Sequence, residues 1–164
     1  MSNSSIIGIA KNKIIKEFIK DKNIVAAINS STIDSSKPEQ LIGTHIFNYH
    51  QNPFTINTAQ TFITIQVHIP TQHYTMTTYI KPTIEIWIIS HEKHMVVDNI
   101  PKVTVNRNDY LSQLIDNKLN GRSGFGIGEL ILASNIEGSY QQNYLYRKMV
   151  FQGTDLNKSL CKTD

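Results

Sequence analysis

An α+β fold, a mainly antiparallel sheet with two main helices packed on it, is predicted by three features of this 164-residue sequence. Apolar residues recur at helical spacing near the start and again after residue 108, they alternate with polar ones over 63–69, and isoleucines recur at every second position over 84–88. These patterns follow one another as helix-strand-strand-helix-strand-strand, with no internal repeat and no linker between halves. Helices laid on one antiparallel sheet suit that order, because each element then has a single apolar side to bury. The length suits one domain, 1–164, with a polar tail expected to be flexible from about residue 153.

The first helix opens at Ser4 or Ser5, either of which can cap it, and carries Ile7, Ile14, Ile15, Phe18 and Ile19 on one face. Lys11, Lys13 and Lys16 fall largely elsewhere. Asp21-Lys22-Asn23 is a candidate break before Ile24-Val25-Ala26-Ala27-Ile28, which pattern alone leaves open between a further helical turn and another conformation. From Asn29 to Glu39 the polar run ending at Pro38 reads as an exposed loop and a candidate contact arm. Leu41 to Pro53 reads as irregular chain with core contacts through Ile42, Ile46, Phe47 and Tyr49.

Ile63, Ile65, Val67 and Ile69 alternate with Thr64, Gln66 and His68, the period of a strand with one buried face, and Pro70 stops it. After a polar connection from Thr71 to Thr78, Ile80, Ile84, Ile86 and Ile88 share one face with Glu85 and Trp87 on the other, so a long hairpin is predicted. Pro82 cannot donate a ladder hydrogen bond, which places an edge or bulge there and the firm pairing after it. Asn108 or Asp109 caps the second helix, whose Leu111, Leu114, Ile115, Lys118 and Leu119 precede an Asn120-Gly121 stop. Gly124, Gly126 and Gly128 form a turn into a strand at Leu130-Ile131-Leu132, and a last strand covers about Tyr144 to Phe151. Trp87, opposite Ile86 and Ile88, implies either that both sheet faces are covered or that it is an exposed interface anchor.

Composition excludes several function classes. Lys and Arg number 16 against 13 Asp and Glu, and they are dispersed along the chain, so nucleic-acid binding is weakly supported. Apolar runs such as Ile86-Trp87-Ile88-Ile89 are far shorter than the roughly 20 residues a bilayer span needs. Met1 to Ser5 lacks the basic region of a secretory signal, which points to a cytoplasmic origin. The single cysteine, Cys161, sits in the polar tail, which rules out an intrachain disulfide and makes a poor catalytic thiol.

No motif supplies catalytic, cofactor-binding or metal-binding residues. His91-Glu92-Lys93-His94 places its histidines three apart, where the helical zinc signature needs four, and it follows a strand. His45, His50, His68 and His73 are scattered over the hairpin region; for a metal- or ligand-binding enzyme, His68, His73, His91 and His94 are the least poor candidates. Gly124-Phe125-Gly126-Ile127-Gly128 lacks the Gly-Lys-Ser/Thr of a phosphate loop and precedes a strand, so its glycines read as backbone freedom that lets Phe125 pack closely. There is no Gly-x-Ser-x-Gly elbow. Tyr140, Tyr144 and Tyr146 beside Arg147 and Lys148 invite a base-stacking reading, but alternating strand aromatics more often form cross-strand pairs or an interface.

Glu85-Ile86-Trp87-Ile88-Ile89-Ser90-His91, the helix after it, Asn120-Gly121, and Phe125-Gly126-Ile127-Gly128-Glu129-Leu130-Ile131-Leu132 together resemble the neck or tail-terminator proteins of tailed bacteriophages. The likeness in element order runs over roughly residues 5 to 152 and is sharpest over about 84 to 132. It implies a structural virion protein, assembled in the host cytoplasm, whose α+β subunits form a ring, commonly a hexamer, that ends the tail tube and joins tail to head. The implied partners are further copies of the chain and the neighbouring tail-tube and head-connector proteins, with no membrane and at most indirect DNA contact. No catalytic residue carries over. A head-completion or connector protein touching portal or DNA is the nearest alternative. The hairpin tip near His73 to Thr78 and the segment Ser30 to Lys37 are expected to contribute inter-subunit contacts.

Overall fold

The computed structural model describes residues 4–29, 33–55, 60–70, 78–140 and 143–156. The first helix, α1, spans Ser5–Lys20 and buries Ile6, Ala10, Ile14, Ile15 and Phe18. Its innermost ridge is thus the i, i+4 row from Ile6 to Phe18, while Ile7 and Ile19 flank the core half-buried. Ser4 stands at the N-cap in helical geometry with no side-chain capping bond, so the expected cap is absent. Asp21 ends α1 and starts α2 (Lys22–Ile28), its carboxylate accepting from the amides of Asn23 at 3.0 Å and Ile24 at 3.4 Å. The choice left open for 24–28 therefore resolves as helix, closed by Asn29 in the left-handed region at φ 49°.

The segment read as irregular holds a two-residue strand, β1 (Ile46–Phe47), too short to leave a periodic signature. It runs parallel to β2 (Thr61–His68), which makes the sheet mixed. β2 and β4 (Thr83–His91) form the expected antiparallel pair, with Ile63 opposite Ile88, Ile65 opposite Ile86 and Val67 opposite Ile84. The second alternation is cut at Pro82: Tyr79–Ile80 leaves as β3 and pairs with β7 (Asp155–Leu156) in a separate ribbon. The Pro82 carbonyl accepts from the Gly153 amide at 2.9 Å, and Gly153 is buried. The stretch 153–156, placed by sequence in the tail, thus has defined partners. Residues 157–164 with Cys161, the tip 71–77 with His73, and 30–32 of the expected contact arm lie outside the described residues.

Helix α3 (Arg107–Leu119) is capped by Asn106 instead of Asn108 or Asp109; its side-chain oxygen accepts from the Asp109 amide at 2.9 Å. Asn108 is drawn inward because Ser90 Oγ donates to its carbonyl oxygen at 2.6 Å. Strands β5 (Ile131–Ser139) and β6 (Tyr144–Gln152) complete a five-stranded sheet in the order β1-β2-β4-β6-β5, mostly antiparallel. The glycine-rich turn before β5 uses positive φ at Gly124, Gly126 and Gly128 and buries Phe125 and Ile127. At Gly128 a Cβ would run into the Thr154 carbonyl.

The helices lie on one face of the sheet. Ile63, Ile65, Ile84, Ile86, Ile88, Met149 and Phe151 supply its apolar surface, and Ile14, Phe18, Ile24, Leu111 and Ile115 pack onto it in one cluster. Arg107, fully buried, ties the layer together. Its guanidinium donates to the carbonyls of Ala27 and His94 at 2.6 Å and Val96 at 2.7 Å, joining the end of α2 to the chain entering α3.

Candidate interface on the open face of the sheet

Strand alternation sends Phe62, Trp87, Ile89, Tyr144 and Tyr146 to the other side of the sheet, where with Phe47 and Tyr140 they form a second cluster. No residue of α1, α2 or α3 belongs to it. The two options for Trp87 therefore meet halfway: it is half-buried, covered by loop and strand side chains and not by a helix. Its ring lies 4.8 Å from Tyr146 and 5.7 Å from His50, in tilted and edge-on geometry. Lys148, directly opposite in the ladder, holds its ammonium 5.0 Å from the Trp87 ring centroid and pairs with Glu85 at 3.0 Å. Trp87 Nε1 and Thr64 Oγ1, from residues paired across β2 and β4, are buried without a hydrogen-bond partner.

The face continues onto β5. A register shift between Leu132 and Ser134 puts Ile131 and Ile136 on the same side, opposite Gln152 and Lys148. Both are exposed, by 56% and 52%. Beyond β5 there is no further strand among the described residues. Among the described residues its outer edge is met at its start, where the amide of Gly121 donates to the Leu130 carbonyl, that of Leu130 to the Arg122 carbonyl, and that of Leu132 to Asn120 Oδ1. Gly138, nearer the other end, lies under Tyr146, whose hydroxyl sits 2.6 Å from where a Cβ would be. The arrangement is a buried, mainly aromatic cluster of Phe47, Phe62, Ile89 and Tyr144 flanked by an apolar surface of half-buried Trp87 and Tyr146 and exposed Ile131 and Ile136, crossed by one ion pair and ending in a largely open strand edge. Such surfaces bind other protein surfaces.

The candidate residues from sequence separate in space. Tyr144 and Tyr146 are on the open face, but Arg147 points to the helix layer, its Nε 2.7 Å from Asp109 and its Nη2 3.2 Å from Glu137. With Lys148 held by Glu85, the base-stacking constellation does not form. His91 packs edge-on against Tyr144, His68 is exposed at the end of β2, and His50 rests on Trp87 and Tyr140. His94 reaches inward, Nδ1 3.0 Å from Thr61 Oγ1, and Thr61 meets the buried Ser90 hydroxyl at 2.7 Å. Its pKa is lowered by burial and by the Arg107 charge, against the opposing pull of Asp98. His45, which no motif singled out, is buried near it and pushed down to about 4, first by burial and then by His94. Among the described residues no three His, Cys, Asp or Glu side chains gather to hold a metal ion.

Five of the basic residues, far apart in the sequence, meet in space. Lys13, Lys16 and Lys20 from α1 meet Lys118 and Arg122 from the far end of α3 around a cleft of about 400 Å³. The signal available in the sequence was the i, i+3, i+7 spacing of the three lysines, which puts them on one helical stripe.

No helix of the described residues is long and apolar enough to cross a membrane. No curated protein matches the chain. A protein-family model described as YomW matches residues 12–152, from the middle of α1 to the end of β6, and thus takes in the helix layer, the five-stranded sheet and its open face. The chain belongs to the YomW family.

Proposed function

We propose that this chain is a structural virion subunit that forms a ring in the neck of a tailed bacteriophage, where it terminates the tail tube and joins tail to head. The observation that supports this reading is the open sheet face. Trp87, Tyr146, Ile131 and Ile136 line one side of a sheet that no helix covers, and the face runs out onto the edge of β5. A long exposed edge beside exposed isoleucines is a liability for a solitary chain and an asset for one that meets copies of itself. Head-to-tail contacts between two unlike patches close into a ring when the rotation permits, and the open face would supply one patch of such a pair. Partners on this reading are further copies, in a hexamer, and the adjoining tail-tube and head-connector proteins.

Light scattering over a concentration series, followed by negative-stain imaging, tests the reading. A closed six-fold ring supports a terminator, and another symmetry supports the head-completion alternative. A monomer at all concentrations, unchanged on mixing with tail-tube and connector proteins, refutes ring assembly.

A further inference from the structure

The cleft between α1 and the C-terminal end of α3 concentrates the charge of the molecule. Lys13, Lys16, Lys20, Lys118 and Arg122 line it, with Glu17 beside them and Asp21 paired to Lys118 at 2.9 Å. Five cations against two carboxylates leave a net charge of three, the whole of the chain's formal +3. Lys20 is held by Glu17 at 3.1 Å in an exposed pair, and Lys13 donates to the Gly124 carbonyl at 2.7 Å. Among the described residues nothing engages the side chains of Lys16 and Arg122, which stand exposed on either wall. Among the described residues three of the five cations, Lys13, Lys16 and Arg122, thus have no carboxylate partner, and like-charge repulsion of that kind is relieved by an external polyanion.

We propose that this cleft binds the phosphodiester backbone of double-stranded nucleic acid without reading its sequence. The lining decides among polyanions. An interface for an acidic protein is built around aromatic or aliphatic anchors, but the one large hydrophobe here, Phe125, is only 6% exposed. A single strand would need exposed aromatic platforms for its bases, and the one ring in the lining, that of Phe125, is buried. What remains is a row of long-armed cations suited to phosphates. At 1.5 Å rise per residue, Lys13 to Lys20 covers about 10 Å, a length over which one duplex strand presents about three phosphates. This proposal does not rest on ring assembly, because the cleft lies within one chain.

Fluorescence anisotropy of the full chain with a labelled DNA duplex of about 30 base pairs is the test. Neutralising about three phosphates gives a slope of log K against log salt near −3, so affinity drops about 40-fold between about 50 and 200 mM salt. Lys16→Glu with Arg122→Glu should cost at least about tenfold at low salt and flatten that slope, whereas Lys37→Glu with Lys93→Glu, at exposed sites elsewhere, should not. Thermal melts check folding, and Lys16→Gln with Arg122→Gln serves if the charge reversal unfolds the chain. No binding at low salt, equal losses from the two pairs of substitutions, or displacement by polyglutamate as effective as by duplex at equal charge would each overturn the proposal, the last by showing a surface for acidic proteins.

Discussion

Acidification should weaken this fold through one buried imidazole before its carboxylates titrate. His45 is 2% exposed; its Nδ1 lies 3.1 Å from Thr44 Oγ1, and its Nε2 has no partner. A proton on that ring would put a charge out of water, leave an N–H donor without an acceptor and repel His94 when that ring is charged. Its pKa accordingly falls from 6.5 to about 4. Between those values the unfolded chain holds the proton and the native chain does not, so stability rises with pH across the window. The contribution is complete above the unfolded value of 6.5 and is lost as pH falls toward about 4, a difference of about 3 kcal/mol. Against a typical total of about 5–15 kcal/mol that is a large fraction. His94 acts in the same direction. Asp21 acts in a separate, lower window. Burial raises its pKa, but the bond from Lys118 and the two amides of its cap outweigh that and hold it below 3.8. Urea unfolding of the natural chain and of His45→Phe, from about pH 7 to about pH 4.5, isolates the term. The natural chain should lose about 2.5 kcal/mol more than the variant over that range. Parallel pH profiles for the two proteins would refute the assignment.

Three further outcomes follow from the geometry. Arg107→Met strips the carbonyls of Ala27, His94 and Val96 of their donor in a buried layer, and should lower stability in urea by about 3 kcal/mol or more; Arg107→Lys, with one ammonium for three carbonyls, should rescue little of it. Gly128→Ala meets both a positive φ and the Thr154 carbonyl, and should cost at least about 2 kcal/mol by thermal unfolding, whereas Gly121→Ala, with open space around it, should cost about 1 kcal/mol. Ile136→Asp changes an exposed side chain and should leave the melting curve within about 0.5 kcal/mol while abolishing self-assembly seen by light scattering.

The parts of this fold written in periodic patterns are legible in the sequence. α1, α3 and the β2–β4 hairpin each rest on apolar spacing that repeats along the element, whereas β5, read as a strand only at Leu130-Ile131-Leu132, continues to Ser139 through residues without apolar alternation. The parts set by contacts distant in sequence are not. β1 is two residues long and exists because the His45 carbonyl accepts from the Ile63 amide at 2.7 Å. β3 and β7 pair in a separate ribbon although they lie more than seventy residues apart in sequence, a relation that no local window contains. The cap of α3 falls to Asn106 because Asn108, an equally good capping residue, is claimed by Ser90 and by the Leu145 carbonyl, to which its amide donates at 3.0 Å. The same limit hides the basic cleft: Lys118 and Arg122 are about a hundred residues from the α1 lysines, and only the packing of α3 on α2, which also meets α1, brings them close.

The two faces of the sheet differ in chemistry, and the difference bears on how the proposed contacts relate. Isoleucines dominate the face under the helices, and they suit a permanent dry core because branched side chains interlock and carry no polar atom. On the open face, aromatic rings stand beside the Glu85–Lys148 pair. Rings of this kind tolerate water when uncovered and contribute large contact area when covered, and the ion pair penalises any partner that would desolvate it without complementing it. The basic cleft, in contrast, belongs to the helix layer on the other side of the sheet. A neighbouring subunit on the open face and a phosphate backbone in the cleft would therefore not compete for the same surface. Separability follows as a consequence: Lys16→Glu with Arg122→Glu should leave self-assembly intact, and Ile136→Asp should leave duplex affinity per chain intact. Loss of duplex binding in an assembly-deficient Ile136→Asp chain would instead mean that the phosphate site is completed only between subunits, which would make the cleft of a single chain too weak to hold a duplex by itself.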